Sequence, residues 1–414
     1  MYLAVGSGSA VSAVWQAVAP HRRFLVVLFC CSLLTLLAFG IRQCFGLFLP
    51  AFSAAHGGGG AHWFGLAIAL QNLLWGLLSP LFGGVADRWG AARVAAGGGL
   101  VYALGLVLMA FGLHSPAVVI GSQALVGLGL SGCGFSVALG AVGRAAPPRW
   151  RSQALGLTTA AGSFGHFALT PLVGGWLAAW GWGAALLALA ALAALTIPAA
   201  AGLRAPGGGA VAPPPLRPVL AVAFGSRDYW LLSAGFFVCG WQVVFIATYL
   251  PSHVVGHGLA PHWGHWALSL IGLFNIFGTL ACGWLGASCS KRMLLTWLYA
   301  LRSLVILCFL LAPPTPLRLL LFSACIGLLW LGTVPLTSGL VADLCGTPYL
   351  SLLYGGVFLA HQLGSFLGAW LGGLLYDRLG DYGPMWQLSA MLGLLAAVLH
   401  WAIREPPPQP APAV

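Results

Sequence analysis

Charge is what this sequence has least of. Of 414 residues only 6% are Asp, Glu, Lys or Arg, where an ordinary soluble chain carries roughly a quarter. A water-soluble globule of this size is excluded, and a mean hydropathy of +0.95 leaves lipid as the solvent. The ten cysteines contain no CxxC pair, so neither a disulfide framework nor a zinc site is indicated, and they read as free, mostly buried thiols. Residues 1–20 lack a basic segment, and the first long apolar run starts only after Arg22 and Arg23. A cleavable signal peptide is therefore not expected. Strict polar/apolar alternation is missing too, which excludes a transmembrane β-barrel. No acid lies deep in an apolar run, because Asp87, Asp228, Asp343, Asp377, Asp381 and Glu405 all sit in or beside loops. No pattern calls for a metal or a cofactor, and the net charge of +11 is accounted for by a membrane rather than by nucleic acid.

What is present is apolar length. A spanning helix needs about 20 apolar residues, and the chain breaks at Gly, Pro, His and charged residues into twelve such runs, near 24–50, 64–86, 94–113, 117–142, 153–178, 183–203, 229–250, 265–287, 293–311, 318–341, 352–376 and 385–403. The expected fold is all-α, with twelve transmembrane helices in two six-helix halves. The organisation predicted is an N-terminal segment 1–23, a six-helix bundle 24–203, a linker 204–228, a second bundle 229–403 and a disordered proline-rich tail 404–414. With the N-terminus inside, thirteen of seventeen basic residues fall on the cytoplasmic side and only Arg318 and Arg378 fall outside. Basic residues in short loops set orientation, so both termini are expected in the cytoplasm, with the chain in a bacterial-type plasma (inner) membrane.

The two halves echo each other. Gly40 to Pro50 in span one resembles Gly240 to Pro251 in span seven, Trp63, Asn72 and Gly76 match Trp266, Asn275 and Gly278, and Gly162-Ser163-Phe164 matches Gly364-Ser365-Phe366. The offset is 200 to 203 throughout. Six spans per half make these parallel repeats about an axis along the membrane normal, with a site expected between them.

The loop after span two reads Gly83-Gly84-Val85-Ala86-Asp87-Arg88-Trp89-Gly90-Ala91-Ala92-Arg93. It resembles the loop signature of the major facilitator superfamily, GxxxDRxGxxR, at the position where that family carries it. Gly283-Trp284-Leu285-Gly286 with Lys291-Arg292 resembles a weakened second copy. The resemblance implies transport by rocking of two halves. Gly83, Asp87, Arg88, Gly90, Arg93 and Arg144 are the gating candidates: glycines permit close packing of helix ends, and Asp87 can cap a helix N-terminus or pair with an arginine such as Arg144. Arg88 and Arg93 also serve as topology determinants. Within the superfamily, Arg42-Gln43-Cys44-Phe45-Gly46-Leu47-Phe48 resembles the monocarboxylate transporter and oxalate/formate antiporter branch. Arg144 to Arg151 around Pro147-Pro148 does so too. A departure is that the Asp and Arg carried by span eight in eukaryotic monocarboxylate transporters align with Asn275 and Thr279 here.

Two arginines lie within spans, Arg42 and Arg302. Each costs roughly 2.5–3.5 kcal/mol at a helix centre, and so needs a partner, a wet cavity or a ligand. Arg42 has no acid placed to neutralise it, and its planar fork suits a carboxylate; the competing reading is snorkelling to the outer headgroups. Arg302 is read as structural slightly ahead of substrate binding. Gln242 takes Arg42's place in the other half, and Asn72 and Asn275 form a second pair; both asparagines also suit interhelical hydrogen bonds. His361, and His166 in the other half, are the groups available for proton coupling, against a reading as packed histidines. Substrate-binding candidates are thus Arg42, Gln242, Asn72, Asn275, His361 and Arg302.

The expected function is transport of a small, monocarboxylate-like organic anion by a monomer that meets only its substrate and the bilayer, and the chain is not expected to be an enzyme. The alternative is an exporter of neutral or hydrophobic compounds, suggested by 18 Trp and 22 Phe. A remote one is an intramembrane serine protease. Gly129-Leu130-Ser131-Gly132 and Gly165-His166 resemble rhomboid elements, but counting residues inward from each membrane face leaves Ser131 and His166 about 10 Å apart in depth.

Overall fold

A computed structural model describes residues 22–48, 52, 61–112, 114–204, 215–379 and 381–405, and among these every regular element is a helix. In hydrocarbon no water is available to the backbone, so an apolar run satisfies its N–H and C=O groups within itself. The first half comprises α1 (Arg22–Gln43), α2 (Ala61–Trp89), α3 (Ala91–Gly112), α4 (Pro116–Cys133), α5 (Phe135–Ala145), α6 (Arg151–Ala194) and the short α7 (Thr196–Ala200). The second comprises α8 (Leu216–Gly225), α9 (Arg227–Gly256), α10 (Pro261–Ser288), α11 (Lys291–Leu310), α12 (Pro316–Leu328), α13 (Thr333–Cys345), α14 (Leu350–Leu379) and α15 (Gly383–Trp401). Among the described residues, eleven stretches are long and apolar enough to cross a membrane. One of them, 56 residues from Pro148 to Leu203, turns at Gly181, whose φ is +76°. Divided there it makes two crossings, and the total is twelve.

Two spans differ from the uninterrupted helices expected. Span four is broken at Gly134, where extended backbone separates α4 from α5. Span ten is broken over 329–332, between α12 and α13. The breaks fall at corresponding places in the two halves. The expected linker also contains structure, since α8 occupies 216–225; residues 205–214 lie outside the described residues, as do most of the N-terminal segment and of the tail.

The halves meet along two long seams, α2 against α14 and α6 against α10. They also meet through α5, which packs on α13 and α14, and through α13, which packs on α6. The other portions of the broken spans, α4 and α12, pack within their own halves. α5 and α13 lead to the end that carries Arg88, Arg93, Arg144, Arg149, Arg151 and Lys291, called here the basic end. The two halves are therefore drawn together at the basic end.

Candidate functional site

Arg42 lies in the last turn of α1 and is partly exposed. Its Nη1 donates to Gln43 Oε1 at 2.8 Å, its Nη2 donates to Asn72 Oδ1, and its guanidinium carbon stands 5.2 Å from the centre of the Trp75 ring. A chain of hydrogen bonds continues into the second half. Gln362 Nε2 donates to the Asn72 carbonyl oxygen at 3.3 Å and to its Oδ1 at 3.4 Å, and Gln362 Oε1 lies 3.0 Å from His361 Nδ1. One turn nearer the basic end an aromatic series runs parallel. Trp75 packs on Phe358 with ring centres 4.9 Å apart, and Phe358 stacks on His361 at 5.3 Å. Arg42, Asn72 and His361, far apart in sequence, thus form one cluster that spans both halves. His166 lies on the other seam, its ring facing Gly272 of α10.

The remaining candidates gather around the break in span ten. Arg302 is fully buried. Its Nη2 donates to the carbonyls of Leu329 and Trp330 at 2.5 and 2.6 Å, and its Nη1 donates to Gln242 Oε1 at 3.1 Å and to Cys239 Sγ at 3.6 Å. Those carbonyls follow the end of α12, where helical partners run out and the dipole is negative, so a cation there both caps and compensates. Gln242 Nε2 in turn donates to the Ser389 carbonyl at 2.8 Å. Asn275 uses both ends of its amide. Oδ1 accepts from Leu331 N at 2.9 Å, and Nδ2 donates to Ser163 Oγ of the first half at 2.8 Å. Gln242, Asn275 and Arg302 are therefore joined to one broken helix.

At the basic end the motif residues divide into distinct tasks. Gly90 adopts φ +102° between α2 and α3, a turn in which a Cβ would be strained. Gly83 lets α14 approach so closely that a Cβ there would lie 2.3 Å from the Ser351 carbonyl oxygen. Asp87, with no side-chain exposure, pairs with Arg144 and accepts from Leu352 N at 2.8 Å, in the first turn of α14. Arg144 also donates to Ser351 Oγ at 3.0 Å. Two halves are thereby tied by one carboxylate and one guanidinium. Arg88 is exposed beside the Trp89 ring and Arg93 is exposed, both outside this tie. In the second half Gly283 meets Gly156, Gly286 meets Ser152, and Lys291 pairs with Asp343 at 2.7 Å.

Sequence reasoning did not single out Trp75, Phe358, Ser351, Cys239 or the bond from Ser163 to Asn275. The repeat carried a usable signal for one of them, because Ser163 and Ser365 occupy matching positions on the two seam helices. The serine of the protease-like pair, Ser131, donates to the Gly127 carbonyl at 2.9 Å and to the Trp75 carbonyl at 3.2 Å, which is interhelical packing.

Twelve crossings in two repeat-related halves, with polar clusters between them and an ionic tie at one end, define a membrane transporter of the alternating-access kind. The sequence matches the Major Facilitator Superfamily over residues 28–345 and 257–414, and the chain belongs to that family. It is 28% identical to monocarboxylate transporter 11 of Mus musculus over 384 residues, covering 89% of this chain and 84% of that one. It is 27% identical to monocarboxylate transporter 13 of Bos taurus over 363 residues, covering 84% and 81%. The fold is similar to that of the major facilitator transporter FucP in its outward conformation, with a TM-score of 0.71, 16% identity, and 92% and 99% of the two chains covered. The chain is a multi-pass membrane transporter and not an enzyme, and the protease alternative falls away.

Proposed function

We propose that the protein moves a small organic anion, of the monocarboxylate type, across the plasma membrane. The observation that carries this reading is Arg42: a cation within the membrane whose described bonds are all to neutral amides, on a partly exposed side chain at the seam between the halves. Its Nε has no partner among the described residues, and a carboxylate is the acceptor that a guanidinium binds best. Similarity to the monocarboxylate transporters supports the same substrate class. The basic end is the cytoplasmic end, in keeping with the distribution of arginine. With the halves drawn together there, the conformation is the outward-facing one. Binding takes place between Arg42 and the Asn72–Gln362–His361 chain, and the single chain is the working unit.

The test is thermal stabilisation of the purified protein by a panel of monocarboxylates, dicarboxylates, neutral solutes and organic cations, since a ligand that binds only the folded state raises its apparent stability. Stabilisation by carboxylates alone, lost in Arg42→Gln, supports the reading, and liposome exchange then names the substrate. Stabilisation by hydrophobic or cationic compounds alone replaces it with the exporter reading.

A further inference from the structure

Asn275 has a place in the fold that its candidacy as a substrate ligand does not explain. It is 1% exposed, and both ends of its amide are engaged. One end holds Leu331 N, the backbone at the break between α12 and α13. The other holds Ser163 on α6, across the seam between the halves. The break is fixed on its other side by Arg302, through the carbonyls of Leu329 and Trp330. Arg302 belongs to the same half as the break and moves with it. Ser163 does not. The Asn275 side chain therefore joins the one weak point of span ten to the half against which span ten must move.

Neighbouring packing leaves no slack for this connection to be taken up elsewhere. A Cβ at Gly278, one turn from Asn275, would lie 2.0 Å from the Leu328 carbonyl oxygen, and one at Gly332 would lie 2.5 Å from Cys282 Sγ. α10 and the break are thus in direct contact, and a shift of α6 along α10 reaches the break through Asn275. The matching asparagine, Asn72, also bonds across a seam, to Gln362, but it holds the side chain of Arg42 rather than a backbone break. Repeat-related residues have taken different partners.

We infer that Asn275, through Ser163, is a positioning residue for the transport cycle: it makes the conformation of the broken span ten depend on the relative placement of the two halves. The inference rests on the transporter fold alone and does not require the anion reading. When the halves separate at the basic end, the pull of Ser163 on Asn275 loosens the Leu331 contact and lets α13 move with respect to α12. While the bond stands, the closed basic end and the held break stabilise each other.

Ser163→Ala removes the link between the halves and leaves the Asn275 bond to Leu331 in place. Its effect is read from the distance between nitroxide labels on native Cys289 and on Trp89→Cys, both exposed at the basic ends of α10 and α2, with Cys308 and Cys325 replaced by serine. Loss of one neutral hydrogen bond is expected to raise the ratio of the long-distance to the short-distance population about 3- to 10-fold. Ser163→Thr, which keeps the hydroxyl, restores the ratio. Asn275→Ala produces at least the shift of Ser163→Ala. A Ser163→Ala distribution matching the wild type overturns the inference, as does an Asn275→Ala protein that melts earlier with an unchanged distribution. No substrate is needed for this measurement, so its failure is separate from any failure to find carboxylate binding.

Discussion

Two arginines lie within the membrane, one in each half, and their surroundings could hardly be less alike. Arg42 reaches side-chain amides, Gln43 and Asn72, rests over the face of an indole and keeps partial exposure. Arg302 reaches two backbone carbonyls at a broken helix, an amide and a thiol, with no exposure at all. Neither has a carboxylate among these partners. The difference lies in what the partners can do. A side-chain amide turns about its own bonds and can release the guanidinium to an incoming anion. A carbonyl at a helix end is fixed by the chain and needs a donor permanently. One environment suits a group that exchanges partners, and the other suits a group that holds a structure.

Substitution separates the two most sharply. Arg42→Gln is expected to abolish carboxylate uptake in liposomes while the melting temperature stays near that of the wild type. Arg302→Met leaves the Leu329 and Trp330 carbonyls and Gln242 without their donor, and each buried unsatisfied group costs about 1–3 kcal/mol. A loss on the order of 3 kcal/mol or more, seen as a lower melting temperature and poor yield, is expected before any question of transport arises. An Arg302→Met protein that melts normally but does not transport would reverse the contrast.

The same comparison extends to the two ionic pairs, with smaller effects. Asp87 and Arg144 tie the first half to the start of α14, whereas Lys291 and Asp343 both belong to the second half. Asp87→Asn removes charge-assisted bonds to a buried group and should shift the balance of facing states roughly 10- to 100-fold toward an open basic end, measured by the label distances described above. Lys291→Gln breaks a partly exposed pair and should cost under about 1 kcal/mol in thermal unfolding, with the balance of states unmoved. Gly90→Ala tests the turn at the basic end by itself. The position has open space around it but a positive φ, so strain of about 1–2 kcal/mol is expected in stability and little change in the facing equilibrium. A large change there would mean that the turn itself takes part in gating.

Much of the architecture was legible in the residues. Lipid leaves a chain few choices, so apolar length gives the number of crossings, and the 200-residue echo gives their grouping. Asp87 and Arg144 could be paired in advance because acids are so few that one at a helix end facing an arginine has little competition. Gly83 and Gly90 were legible as a pair of tight spots, but only the tertiary structure distinguishes them: one receives Ser351 and the other makes a turn.

The breaks in spans four and ten could not be read in this way. Pro316 to Leu328 and Thr333 to Cys345 each form a helix; Pro335, which has no N–H for the Leu331 carbonyl, and Gly332 signal a kink between them, but not its extent over 329–332 or the groups that satisfy it. The break is tolerated because Arg302 and Asn275, 27 to 56 residues away in sequence, satisfy the freed backbone groups. By itself the sequence determined that this chain spans a membrane twelve times in two related halves, with two cations that need an explanation. Tertiary structure alone decided which cation was locked to backbone and which kept exchangeable partners, because hydrogen-bond partners across a seam are set by how helices pack in three dimensions, and a run of apolar residues carries no record of that.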